Sequence, residues 1–391
     1  MIFMNFCAII AEFNPFHNGH EYLIKQAQKT NLPVLCLMSG DFVQRGEPAI
    51  IDKYTRAKCA INAGASIVAQ LPTVYSLSCA QLFAKGAIKV LKELGCSTLI
   101  IGATHTNLKD YFDLAKIKNR NLKNAMASQL DNGINYSKAL INILKTKHPN
   151  ADKIFTDASN ILALEYIEQI INQKANITPI LISRTDGGYN TNKPIKKFAS
   201  ATVLREYISK NQIDSCKKYI PACNHFQLLN VAQTQAIDNL LLFNLRNSTP
   251  ETLSTYADYT EGLPYLINSA ARTASTLNEA IHSAASKRYR LARIKKLCLA
   301  PILNITKSSA STISKGKSVV KLLAIKKNLK EFISFANKTY PKLIVSNREY
   351  NHLSKAQQLS ASIDLNASNL YTIASKKPHN NDISTGTLFI D

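Results

Sequence analysis

The chain begins as an alternation of short apolar runs and longer stretches with helical spacing. Residues 6–11 (FCAIIA), 34–38 (VLCLM), 67–71 (IVAQL) and 98–101 (TLII) are too short for helices and lack polar alternation, the pattern of strands buried on both faces. Between them, 18–30, 54–64 and 78–94 carry apolar residues at three- and four-residue steps; in the last, Leu82, Phe83, Ala87, Val90, Leu91 and Leu94 make one stripe. Strand alternating with helix predicts a parallel sheet with right-handed crossovers. Helical patterns at about 108–146 and 160–173, a strand in ITPILIS (177–183) and a helix over 200–210 extend it, so an α/β domain is expected over residues 1–212.

The pattern then changes. Helical periodicity recurs near 224–246, 263–285, 286–303 and 317–337, strand signals are scarce until KLIVS (342–346), and SSASTISKGKS (308–318) reads as a flexible loop. Residues 213–391 are therefore expected to form a mainly α-helical second domain.

Charge narrows the choice of ligands. Lys and Arg number 48 against 26 Asp and Glu, a net +22, and between Lys287 and Lys330 there are 13 basic residues and no acidic one. Such a balance favours a polyanionic partner, and the helical half becomes the candidate domain for binding it. The eight cysteines include no CxxC pair and mostly sit in apolar strings, which suits a reducing compartment. The start, MIFMNFCAIIAEF, has no basic residue before its apolar run and does not read as a signal peptide. No run reaches the roughly 18 apolar residues of a membrane span. A cytoplasmic protein is expected, with no membrane association and no protein partner evident.

The most informative string is AEFNPFHNGHEYL (11–23), which sets His17, Gly19 and His20 directly after the first expected strand and at a helix start. Free backbone N–H groups and the positive helix end collect anions there, two imidazoles one turn apart can reach phosphate oxygens, and Asn18 can cap the helix. This is an HxGH phosphate site, suited to stabilising a departing pyrophosphate. A pair of surface histidines in a turn is the bland alternative. A zinc site would need a third and fourth ligand, and none is suitably spaced, so no metal ligand is assigned. FASATVLREYI (198–208) places Ser200 and Thr202 at a helix start with Arg205 one turn on, a second oxyanion cradle or an ordinary N-cap. GKS at 316–318 lacks the first glycine of a P-loop, since that position is Ser311, and no GxGxxG follows the first strand.

HxGH followed by SxTxxR resembles the nucleotidylyltransferase superfamily, and longer strings carry the likeness further. EFNPFHNGH, MSGDFVQRGEPAIIDKYTRA (38–57), ASNILALEYI (158–167), ISRTDGGY (182–189) and KRYRLARIKKL (287–297) resemble the landmarks of the bacterial tRNA(Met) cytidine acetate ligase family. That resemblance implies a Rossmann-like nucleotidylyltransferase domain that uses ATP to make acetyl-adenylate from acetate. The acetyl group would pass to N4 of the wobble cytidine of elongator tRNA(Met). It also implies ATP contacts from Cys7, Ala8, Ile9, Ile10, Ala11, Glu12, Phe13, Asn14, Pro15, Phe16, His17, Asn18, Gly19 and His20, from Gly102 and Asn160, and from Arg184 with Thr185. Mg²⁺ is expected to accompany the triphosphate, without a nameable protein ligand. Ala163 and Asp41 stand where Gly and Asn are usual in the family.

Arg45 and Lys53 follow the second strand, where they can orient a small carboxylate or contact RNA. In KRYRLARIKKL, Leu291, Ile294, Leu297 and Cys298 form an apolar stripe beside a cationic row of Lys287, Arg290, Arg293 and Lys296, with Arg288 adjacent and Tyr289 available to stack on a base. Two other functions use the same residues: adenylyl transfer to a small phosphorylated metabolite, and tRNA binding without catalysis.

Overall fold

A computed structural model describes residues 5–119, 122, 125–127, 129, 134, 136–184, 197–229, 231–338, 342–379 and 381–391. The alternating pattern of the first half becomes strands β1 (Cys7–Ala11), β2 (Val34–Ser39), β3 (Ile67–Leu71), β4 (Thr98–Ala103) and β5 (Thr178–Ser183), all mutually parallel in the order β3-β2-β1-β4-β5. Helices α1 (Asn18–Gln28), α2 (Lys53–Asn62), α3 (Ala80–Leu94), α4 (Leu108–Lys118), α5 (Ala158–Asn172) and α6 (Ala201–Ser209) belong to the same half. β2 and β3 are buried along their whole length, as unbroken apolar runs require. The fold class is the expected one, and it brings the loops after β1, β4 and β5 to one edge, where open α/β sheets bind ligands.

The sheet does not end near residue 212. β6 (Val319–Lys326) pairs antiparallel with β3, and β7 (Lys342–Ile344) and β8 (Leu388–Ile390) each pair parallel with β6, completing eight strands. Helical periodicity was expected over 317–337, yet a strand occupies 319–326, because Val319–Ile325 is buried on both faces and such a run satisfies either period. Lys321 inside it is neutralised by Asp382, 61 residues on, a pairing that local periodicity cannot register. SSASTISKGKS is likewise no loop over its first part: Lys307–Lys315 is a helix capped by reciprocal Thr306–Ser309 hydrogen bonds. Between 213 and 303 the described residues are mainly helical, as expected, and include α7 (Leu291–Ile302); a longer helix, α8 (Lys355–Ser375), follows β7.

Candidate active site

His17, and not Asn18, caps α1. Its Nδ1 accepts the Gly19 N–H at 3.1 Å, while Nδ1 of His20 accepts the His17 N–H at 3.3 Å, a capping box built from two imidazoles. Asn18 N–H donates to Tyr219 O at 2.9 Å and its side-chain amide to Lys197 O and Lys218 O. The amides expected to receive an anion are thus already engaged, and it is the imidazoles that border the adjoining hollows. A ring whose Nδ1 accepts a backbone N–H carries its proton on Nε2, so each histidine has an Nε2–H donor directed away from its own turn. The rings stack with centroids 3.6 Å apart, and Phe13 and Phe16 hold His20 at 4.9 and 5.6 Å. Burial, then the neighbouring His17 and Arg184, lower the His20 pKa well below 6.5 and keep it neutral.

Two connected hollows meet at this pair. One, of about 160 Å³, runs between β4, β5 and α1 and is largely apolar, lined by Leu23, Ile100, Ile101, Leu162 and Ile182 together with Gly102, Ser159 and Arg184. The other, of about 150 Å³, is lined by Ile10–Asn14, Gln44, Ser200, Ala201, Thr202 and Arg205; His17, His20, Tyr166 and Arg184 border both. The distant guanidinium of Arg205 therefore does converge with the two histidines. It is held there by Asn14 O at 2.7 Å and Thr202 Oγ1 at 3.1 Å. Ser200 caps α6 through Val203 N–H, so the first turn of that helix forms the wall. Glu12 accepts Gln44 N–H at 2.7 Å; burial raises its pKa, opposed by that bond and by Arg205, Arg56 and Arg45.

Other expected contacts lie elsewhere. Cys7, Ala8 and Ile9 are sealed inside the sheet and do not line either hollow; only the carboxyl end of β1 does. Pro15, in a cis peptide after Asn14, and Phe16 shape the loop from behind. Asn160 spends its side chain on the protein: Oδ1 accepts Thr104 and His105 N–H, and Nδ2 donates to Thr104 Oγ1 and Lys153 O. It braces the loop after β4, and Ser159 faces the hollow instead. Thr185 lies outside the described residues.

Lys53 does not face the crevice. It is 1% exposed, with Nζ 2.9 Å from Asp41 and 2.8 Å from Asp382, and those two carboxylates push its pKa up against the effect of burial. Arg45 neighbours Glu12 without lining a hollow. The cationic row is also only partly displayed, and Lys287 and Arg290 precede α7 where a helix was expected from 286. Lys287 and Arg290 are exposed, but Arg288 pairs with Glu261, Arg293 donates to Asp258 O and Thr260 Oγ1, and Lys296 turns inward to Ser78 O. Arg288 and Arg293 both lie over the Tyr289 ring. Leu291 is 40% exposed, so the buried stripe starts at Ile294.

Two positioning residues carried no sequence signal of their own. Arg56, fully buried on α2, donates to Ile51 O, Glu12 O, Ser39 O and Gly40 O and so ties the ends of β1 and β2 together. Gln227 accepts from Phe16 N–H and donates to Phe16 O, both at 3.0 Å, fixing the loop before His17.

This fold and this paired-imidazole cavity define a nucleotidyl transferase, and the chain belongs to the HIGH nucleotidyl transferase family, whose profile it matches over residues 4–385. Within it, the branch is that of the tRNA(Met) cytidine acetate ligases. The chain is 31% identical over 388 residues to the ligase of Lysinibacillus sphaericus, covering 95% of each, and 34% identical over 311 residues to that of Clostridium novyi, covering 75% of this chain and 77% of the relative. Its fold is shared with the crystal structure of Thermotoga maritima TmcAL bound with alpha-thio ATP, with TM-score 0.89, 22% identity, and coverage of 99% of this chain and 100% of that one.

Proposed function

We propose that the chain is an ATP-dependent ligase. It activates acetate as acetyl-adenylate, releasing pyrophosphate, and transfers the acetyl group to N4 of the wobble cytidine of elongator tRNA(Met), releasing AMP. The observation that carries this reading is the convergence of His17, His20, Arg184 and Arg205 on one cavity beside an apolar slot. The slot takes adenine, and the triphosphate runs past the histidines. Acetate attacks the α-phosphorus and the bond to the β-phosphate oxygen breaks. Nε2–H donors and guanidinium groups oppose the charge that grows on the departing pyrophosphate, a task of positioning and electrostatics. The relatives' names and the ATP analogue in the Thermotoga maritima structure support the same assignment.

Among the described residues no cluster of three His, Cys, Asp or Glu is placed to hold a metal, and Glu12 is the one carboxylate lining the phosphate side. Mg²⁺ would be carried by phosphate oxygens and water, where it would neutralise triphosphate charge. No helix among the described residues is long and apolar enough to cross a membrane, and ATP with tRNA as substrates fits a cytoplasmic site of action. Incubation with ATP, labelled acetate and tRNA(Met) tests the proposal. Label is expected in N4-acetylcytidine, dependent on ATP; label absent from the RNA, or transferred without ATP, overturns it.

A further inference from the structure

A third hollow, of about 280 Å³, adjoins the phosphate side of the nucleotide cavity, and Arg205 lines both. It lies between the hairpin formed by Phe42–Val43 and Glu47–Pro48 and the helices after residue 230. Gly46, at φ +77°, sits so close to α7 that a Cβ there would meet Lys296 N at 2.7 Å, and Glu47 pairs with Lys295 of that helix. The hollow is therefore built where the ATP-binding half and the basic helical half touch.

Its chemistry differs from that of the nucleotide cavity. Ile50, Leu241 and Ile281 give apolar faces, while Gln235, Asp238 and Asn278 supply hydrogen-bonding edges. Two carboxylates, Glu47 and Asp238, line it, and burial raises the Asp238 pKa against the influence of Lys295. Lys295, which pairs with Glu47, and Arg205 line it as well, so two cations balance the two carboxylates and the hollow carries no net charge that would single out a phosphate. A neutral planar ring with amino and carbonyl groups on its rim matches apolar faces and a polar edge of mixed donors and acceptors, which is how proteins hold unstacked bases. Lys287 and Arg290 stand exposed just before α7, the helix whose Lys295 lines the hollow.

We propose that this hollow receives the acceptor pyrimidine of the tRNA, turned out of its loop so that its amino group reaches the acyl-adenylate past Arg205. The proposal rests on the reading that tRNA accepts the acetyl group. It adds the base-binding site.

The test uses the full chain and two variants, Asn278→Ala, which removes a rim amide, and Thr234→Trp, which fills the hollow that Thr234 lines. Three quantities are measured: acetate-dependent exchange of pyrophosphate into ATP, acetyl transfer to tRNA(Met), and retention of an anticodon stem-loop with or without the wobble base. Exchange is expected to stay within about twofold of the parent chain, which also reports folding. Transfer should fall at least tenfold in the Trp variant and severalfold in the Ala variant. The parent chain should retain the intact stem-loop better than the abasic one, and the Trp variant should lose that preference. Unchanged transfer in both variants overturns the site, as does a parent chain indifferent to the missing base, or exchange that falls in step with transfer. A parent chain without acetate-dependent exchange defeats the functional reading itself, a separate and recognisable result.

Discussion

Two polar clusters flank the loop after β2, and they are put to opposite uses. In one, His17 and His20 turn Nδ1 to backbone N–H groups and border the cavity that Arg205 also lines. In the other, Lys53 lies between Asp41 and Asp382, Lys321 reaches Asp382 as well, and Tyr54 donates to Asp382 at 2.7 Å; all four charged side chains are buried. The first cluster borders a cavity; the second is sealed inside the protein, where its ion pairs pin the C-terminal segment to α2 and β6. A charged residue that follows a sheet strand in sequence need not face the crevice at the end of that strand.

The largest expected effect separates the two by stability. Asp382→Ala leaves two buried ammonium groups short of a partner and should cost about 3–5 kcal/mol in urea unfolding, while exchange per folded molecule stays near the parent value. A loss of exchange without loss of stability would assign that cluster to the chemistry. The reverse is expected of His17→Ala and His20→Ala: acetate-dependent exchange falls about 10²–10³-fold, about 3–4 kcal/mol of barrier, with stability changed by only about 1 kcal/mol for the lost cap.

Acid titration sharpens the contrast. Lys53 and Lys321 outweigh burial and hold Asp382 at about 2, below its ordinary 3.8. Its stabilisation is thus present above about pH 4 and is lost as pH falls toward 2, about 2 kcal/mol in all. His20 is held below 6.5, so the unfolded chain takes up its proton first and stability declines as pH falls through that value. Asp382→Asn should remove the limb below pH 4 and His20→Asn the one that starts near 6.5, both read from chemical unfolding at fixed pH. The smallest effect is expected of Gln227→Ala, which leaves the Phe16 amide and carbonyl without their side-chain partner: about 1–2 kcal/mol of stability and a fall in exchange of roughly tenfold.

The five parallel strands and the HxGH turn were legible because each rests on local pattern: an apolar run, a helix start, two histidines three apart. What escaped depends on partners far along the chain. Lys53 reads as a loop cation until Asp382 closes over it, 329 residues later. β6 reads as helix until it is seen buried against β3. Asn160 lies in the right helix, but its four hydrogen bonds go to protein atoms, and no spacing rule tells a brace from a ligand contact. Arg56 and Gln227 act through main-chain carbonyls and amides, groups that every residue has and that sequence therefore does not mark.

Exchange of labelled pyrophosphate into ATP by the full chain, with and without acetate, tests the central reading most directly. Rapid exchange that requires acetate, needs no tRNA and disappears in His20→Ala is the predicted result. Exchange that proceeds equally without acetate, or survives the loss of that imidazole, would contradict it.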